Sequence, residues 1–263
     1  QRSLDLFLRA TGIYVSNSPE GPFKAVSDQP ATPLDWMSLD GTLWVEDGMA
    51  WMVFCHEWWQ VVDGTFELVP LAPDLSQPLA APLTLFKASD AKWTRDMKAL
   101  ARKKEKEQPS GRVSDGAFLY RTKNGGLIML WSSFGDNGYA CSYATSRSGK
   151  ITGPWIPAEE LLFDQDGGHG MIFETFDGRL MMALHAPNSP DNSRAQFIEI
   201  EDTGDSIQVK QPPEEPAAND PAPEPAADTK PDSNDPETAA PEARPQDQSD
   251  GKETAELKDS PEQ

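Results

Sequence analysis

The sequence predicts an all-β chain of repeated four-stranded units, each the size of a propeller blade, followed by a disordered acidic tail. Three observations predict it. Short apolar runs rich in Val, Ile, Leu, Trp, Tyr and Phe end at tight-turn dipeptides such as Asp47-Gly48, Asn124-Gly125 and Asp177-Gly178. One hairpin pattern recurs along the chain while helical periodicity is nearly absent. The composition then changes abruptly after residue 210.

The hairpin pattern opens each time on a polar residue followed by glycine. One copy starts at Asp40-Gly41 and turns at Asp47-Gly48 into Trp51-Met52-Val53-Phe54. A second starts at Asp115-Gly116 and turns at Asn124-Gly125 into Leu127-Ile128-Met129-Leu130-Trp131. A third starts at His169-Gly170 and turns at Asp177-Gly178 into Leu180-Met181-Met182-Ala183-Leu184. Asn-Gly and Asp-Gly favour the two-residue turns that join antiparallel strands. A second element also repeats. Ser16-Asn17-Ser18 leads to Gly21-Pro22-Phe23, and Ser146-Arg147-Ser148 leads to Gly153-Pro154-Trp155. Units of roughly 50 to 75 residues with about four strands each have the dimensions of propeller blades. Whole blades are expected at 38–90, 113–163 and 167–201, with residues 4–23 as the outer part of a preceding one. Between the first two, Asp96 to Arg112 is charged and helix-prone and reads as a solvated insertion.

The last 53 residues hold 15 Asp and Glu against 4 Lys and Arg, together with 11 of the 24 prolines and no aromatic residue. Such a segment cannot bury enough apolar surface to offset its ordering entropy. The division expected is therefore a folded domain over 1–203 and a disordered, Pro-rich acidic tail over 204–263. Without its last 53 residues the chain still carries a net charge of −9, the whole chain being −20. An acidic surface excludes nucleic acid as a partner, whose phosphates require a basic face. No apolar run reaches the length of a membrane span. Cys55 and Cys141 lie inside apolar strand-like runs and are expected as buried free thiols.

The repeat also points to chemistry. The innermost strand of a propeller blade lines a central channel, so Asp40, Asp115 and His169, as openings of three blades, are expected at equivalent places around one axis. Burying an unpartnered carboxylate is costly, so their convergence is better explained by a site than by a core. Spaced carboxylates suit glycoside hydrolysis, one protonating the leaving oxygen and another activating water or attacking the sugar. Trp44 is expected in the core between blades. Trp58 and Trp59 are candidates for stacking on sugar, and His56, Glu57 and His185, which end the second strands of their hairpins, are candidates for substrate binding.

Taken together, Ser38-Leu39-Asp40-Gly41-Thr42-Leu43-Trp44-Val45 with His56-Glu57-Trp58, then Asp115-Gly116-Ala117-Phe118-Leu119-Tyr120 with Leu130-Trp131-Ser132-Ser133, then Gly167-Gly168-His169-Gly170-Met171 with Leu184-His185, resemble the third, fourth and fifth blades of glycoside hydrolase family 43. The resemblance covers about residues 10–201. It implies a five-bladed β-propeller, here about three full blades plus part of another, and an inverting hydrolase acting on arabinose- and xylose-containing glycans. It implies that Asp40 tunes and orients the acid and that Asp115 is the general acid, where the family usually has Glu. His169 matches a histidine that helps hold a calcium ion or a water cluster in the channel. No cofactor is otherwise implied, and the partner is an oligo- or polysaccharide. The family's general base belongs to a first blade. Here Asp5 is the sole carboxylate so far upstream, and its surroundings do not match the base motif, so the N-terminal third is expected to be missing. A non-catalytic carbohydrate-binding propeller is the alternative reading. Such substrates favour a secreted or periplasmic location.

Overall fold

A computed structural model of the chain describes residues 8–100 and 109–210. Three four-stranded antiparallel meanders dominate it. The first blade runs β3 (Ser38–Glu46), β4 (Met49–His56), β5 (Thr65–Pro70) and β6 (Leu83–Lys87). The middle blade runs β7 (Asp115–Arg121), β8 (Leu127–Gly135), β9 (Gly138–Ser146) and β10 (Trp155–Pro157). The last runs β11 (Gly168–Glu174), β12 (Leu180–Ala186), β13 (Arg194–Asp202) and β14 (Ile207–Val209). A two-stranded hairpin, β1 (Tyr14–Val15) with β2 (Lys24–Ala25), precedes them. The innermost strands β3, β7 and β11 lie side by side in that order. Among the described residues helix is confined to short pieces, α1 (Trp58–Val61), α2 (Met97–Leu100) and a 3-10 turn at Ala88–Asp90. No helix among the described residues is long and apolar enough to cross a membrane.

The blades stack because their middle strands are apolar on both faces. Successive side chains on a strand point to opposite sides. On β8, Leu127, Met129 and Trp131 face one way and join Val53, Phe66, Leu68 and Phe86 of the first blade. Ile128 and Leu130 face the other way and join Ile172, Met182 and Leu184 of the last blade. The same alternation on β4 sends Met52 and Phe54 toward Ala31 in the segment before β3. The Trp131 indole meets Phe66 edge-on, with centroids 5.5 Å apart. Each fully buried side chain of this kind is worth roughly 1.5–3 kcal/mol. The far face of the last blade differs. Met171 and Phe197 are exposed there, and Phe173 meets Phe197 edge-on.

Two carboxylates tie the blades together at their hairpins. Glu46 accepts from the Arg121 guanidinium at 3.1 Å and from the amide of Ile151 at 3.0 Å, joining the first blade to the middle one. Asp202 is buried, and it accepts from the Tyr120 hydroxyl and the Lys123 amide, both at 2.9 Å, joining the last blade to the middle one. Trp44 packs against the inter-blade core, as expected, with Arg121 over its ring. Cys55 and Cys141 are free and buried, also as expected.

One expectation needs correction. The last blade does not stop at 201, nor the folded part at 203, because Ile207–Val209 pairs with Ile200–Asp202 as a fourth strand. The strand is only three residues long and follows Thr203-Gly204-Asp205-Ser206, a turn whose composition blends into the acidic segment. Within the 96–112 insertion, expected to be helix-prone, Met97–Leu100 is helical; residues 101–108, like the tail beyond 210, lie outside the described residues. Asp96 caps this helix, its carboxylate accepting from the amides of Lys98 and Gly111.

Candidate active site

The three innermost strands share a β-bulge at their first residues. Pairing slips between Leu39 and Thr42 on β3, between Asp115 and Phe118 on β7, and between Gly168 and Met171 on β11. At each bulge one residue takes a left-handed conformation, Asp40 at φ 57°, Gly116 at φ 67° and His169 at φ 57°. Asp40, Gly116 and His169 are therefore the equivalent positions. The expected equivalence of Asp40, Asp115 and His169 is off by one at Asp115, which matches Leu39 and Gly168. Matching Asp-Gly with Asp-Gly misleads because the bulge needs positive φ, not glycine as such, and Asp adopts that conformation more readily than most residues.

The bulges nevertheless bring the polar side chains together. Asp40 Oδ2 accepts from the amide of Gly116 at 3.0 Å, so one peptide separates it from Asp115. Its other oxygen lies 3.9 Å from Nε2 of His169. The Asp115 carboxylate accepts from the Tyr139 hydroxyl at 3.0 Å. The Tyr139 ring stacks on His185, with centroids 5.5 Å apart and planes at 21°. His185 also meets Asn188, Nε2 to Oδ1 3.2 Å. Glu57 is buried and paired with Arg9 at 3.1 Å, and its Oε2 has no partner among the described residues.

Electrostatics sets the acid–base character. Burial first, and the Asp40 charge second, push the Asp115 carboxyl from 3.8 up to about 7, while the Tyr139 hydrogen bond and Arg9 work the other way. Burial likewise raises Glu57, opposed by Arg9 and reinforced by Asp40. Tyr139 and Cys55 are raised by burial and by the same two aspartates, so both stay protonated at neutral pH. A carboxylic acid that holds its proton near neutrality beside a second carboxylate is an arrangement suited to general acid catalysis.

The sequence candidates divide accordingly. Asp40, Asp115, His169 and His185 come together, and Glu57 lies within reach of their charges. His56 and Trp58 do not join them. His56 is buried, stacks on Trp36 at 4.0 Å and meets Gln60 at 2.8 Å, which makes it part of the packing. Trp58 begins α1 rather than continuing the strand. Its indole is buried against Gly111, which has no room for a side chain, and is tilted against Trp59. Tyr139 and Arg9 escaped the sequence reading. Tyr139 stands in an ordinary strand pattern, and Arg9 lies 48 residues before Glu57 in no motif.

His169 and Asp40 bring one imidazole and one carboxylate to this centre. Among the described residues no three His, Cys, Asp or Glu side chains converge on a point where an ion could sit. Calcium takes about six to eight oxygen ligands, so these two residues would hold such an ion mainly through waters. The surface clefts between the outer strands of the middle and last blades, lined by Tyr143, Glu160, Ile207 and Val209, contain no comparable cluster.

The family model described as glycosyl hydrolases family 43 matches residues 2–200. Among solved structures, an endo-arabinase from Bacteroides thetaiotaomicron is 41% identical, with TM-score 0.67, over 74% of this chain and 66% of that one. A thermostable family-43 glycoside hydrolase is 18% identical, with TM-score 0.60, over 79% and 68%. An α-L-arabinofuranosidase from Lactobacillus brevis is 18% identical, with TM-score 0.51, over 71% and 59%. The chain thus spans just under two thirds of the length of the endo-arabinase it matches. No match is found among curated proteins.

Proposed function

This chain belongs to glycosyl hydrolases family 43, and on that premise we propose that it serves hydrolysis of O-glycosidic bonds in arabinose- or xylose-containing glycans, with Asp115 as the proton donor. The observation that carries the assignment is the placing of the half-buried Asp115 carboxyl, hydrogen-bonded by Tyr139 and one peptide away from Asp40, surroundings that raise its pKa toward neutrality. Glu57 is the weaker candidate for this role because it is engaged with Arg9. The substrate class is supported by similarity to an endo-arabinase and an α-L-arabinofuranosidase.

In the proposed reaction the glycosidic oxygen lies against Asp115. As the bond from the anomeric carbon to that oxygen breaks, the oxygen takes the proton from Asp115, and the carbon gains oxocarbenium character. Water attacks from the opposite face and inverts the configuration, losing its proton to a general base. Asp40 keeps its charge close enough to make Asp115 hold its proton until the transition state, and fixes the Gly116 peptide behind it. The base is not assigned to a residue of this chain. Asp5, the upstream carboxylate in the sequence, lies outside the described residues.

The test compares parent and Asp115→Asn on aryl arabinofuranosides and aryl xylosides, with the product anomer followed by NMR. We expect turnover with inversion, and a loss of at least about a hundredfold in kcat for the variant on an unactivated phenyl glycoside. Sugar binding without turnover in either protein would overturn the enzyme reading in favour of a carbohydrate-binding propeller.

A further inference from the structure

We propose that Tyr139 is a positioning residue, one that fixes the Asp115 carboxyl in the single orientation from which it can deliver its proton. The proposal rests on the assignment of Asp115 as the proton donor and adds what holds it. Among the described residues, the hydroxyl of Tyr139 is the side-chain group that hydrogen-bonds the Asp115 carboxyl, and it reaches one oxygen only, Oδ2. A carboxyl that accepts from a fixed donor on one oxygen is left with the other to carry the transferable proton. Asp40, Glu57 and Arg9 act on Asp115 through their charge, which shapes its acidity but does not choose its rotamer.

The hydroxyl can serve as a fixed point because the rest of Tyr139 is immobilised. The residue is 3% exposed on β9. His185 stacks on its ring, and Phe134 meets the ring at 5.2 Å with planes at 62°. Its amide donates to Asp166, and its carbonyl accepts from Gly167 at 2.8 Å. Gly168 has no room for a Cβ, which would come within 2.8 Å of the ring. The ring is therefore held by His185, Phe134 and Gly168 and by its backbone, and the phenol can swing little. Misplacing a reacting group by about 1 Å can cost a hundredfold in rate, so a rigid donor of this kind has a kinetic role that packing alone does not.

The experiment measures parent, Tyr139→Phe and Asp115→Asn on two aryl arabinofuranosides, phenyl and 2,4-dinitrophenyl. The second leaving group departs without protonation, so only the first depends on the acid. We expect Tyr139→Phe to lower kcat on the phenyl substrate by about ten- to a hundredfold, with KM within about twofold, and to lower it less than about threefold on the dinitrophenyl substrate. Equal losses on both substrates, or a loss confined to KM, would overturn the positioning role. If Asp115→Asn shows no dependence on the leaving group, the proton-donor assignment itself fails. If Asp115→Asn shows it and Tyr139→Phe does not, only the present proposal fails. Crystal structures of parent and Tyr139→Phe give a readout free of turnover. A single Asp115 rotamer in the parent and several in the variant support the proposal, and an unmoved carboxyl in the variant refutes it.

Discussion

The first and middle blades open on the same bulge and each presents a carboxylate there, one register step apart. Asp40 occupies the left-handed position itself, its side chain 18% exposed, and reaches across to the backbone of the next blade. Asp115 stands one residue earlier, with Gly116 taking the left-handed turn, and reaches the Tyr139 hydroxyl of its own blade. A single step of register thus separates a residue that supplies charge from one that carries a proton. Groups of the same chemical type acquire different tasks when their environments differ, and here the difference is made by backbone geometry before any side chain is chosen.

The comparison can be broken hardest by removing the half-buried acid. Because burial and Asp40 raise the Asp115 pKa from 3.8 to about 7 in the folded state, the folded protein binds this proton more tightly than the unfolded chain. Its ionisation then costs stability that is absent below about pH 3.8, grows as pH rises, and is complete above about 7. Asp115→Asn cannot ionise. Relative to parent it should gain stability between pH 4 and pH 8, by at most about 4 kcal/mol at 1.36 kcal/mol per pH unit. Urea unfolding at the two pH values measures this, and a difference that does not change with pH would mean that the carboxyl is not held as an acid.

A smaller effect tests the bulge. Gly116→Ala puts a side chain at φ 67°, with its Cβ 3.0 Å from Cα and Cγ of His169. The expected cost is about 1–3 kcal/mol, read as a fall in Tm. Gly125→Ala is the control, because φ is 84° there but a Cβ would meet nothing within 4 Å. It should cost less, and equal costs would show that the contact with His169 is immaterial. The smallest effect sharpens the pairing of the two aspartates. Asp40→Asn keeps an acceptor for the Gly116 amide but removes the charge that raises Asp115. The alkaline limb of the rate profile should move to lower pH, with roughly a tenfold loss at neutral pH. A limb that stays in place would separate Asp40 from the tuning role.

Much of this could be read from residues alone because the middle strands are apolar on both faces and their turns are marked by Asp-Gly and Asn-Gly. Runs such as Leu127 to Trp131 fix both the strand and the neighbours on each side. The openings at Asp40, Asp115 and His169 were legible as a set, though not their register, since positive φ leaves no mark in a sequence when Asp or His adopts it. His185 was found through its place at the end of β12. His56 was not separable from it, because the bulge register makes Cys55 the counterpart of His185 and leaves His56 one step further on, against Trp36, and that step is invisible in the sequence. Tyr139 could not be singled out, since its value comes from a contact with Asp115 made by folding β9 back along β8.

The hairpin carboxylates Glu46 and Asp202 also bear on how blades could be exchanged between proteins. Both find their donors in the middle blade, and largely on one stretch of it, Tyr120 to Lys123 at the end of β7. Arg121 answers one neighbour while Tyr120 and Lys123 answer the other. A graft that imports a new middle blade must therefore carry this short stretch intact, whereas a replacement neighbour must bring a carboxylate to its own hairpin together with the apolar face that meets β8. The middle blade acts as a socket and its neighbours as plugs.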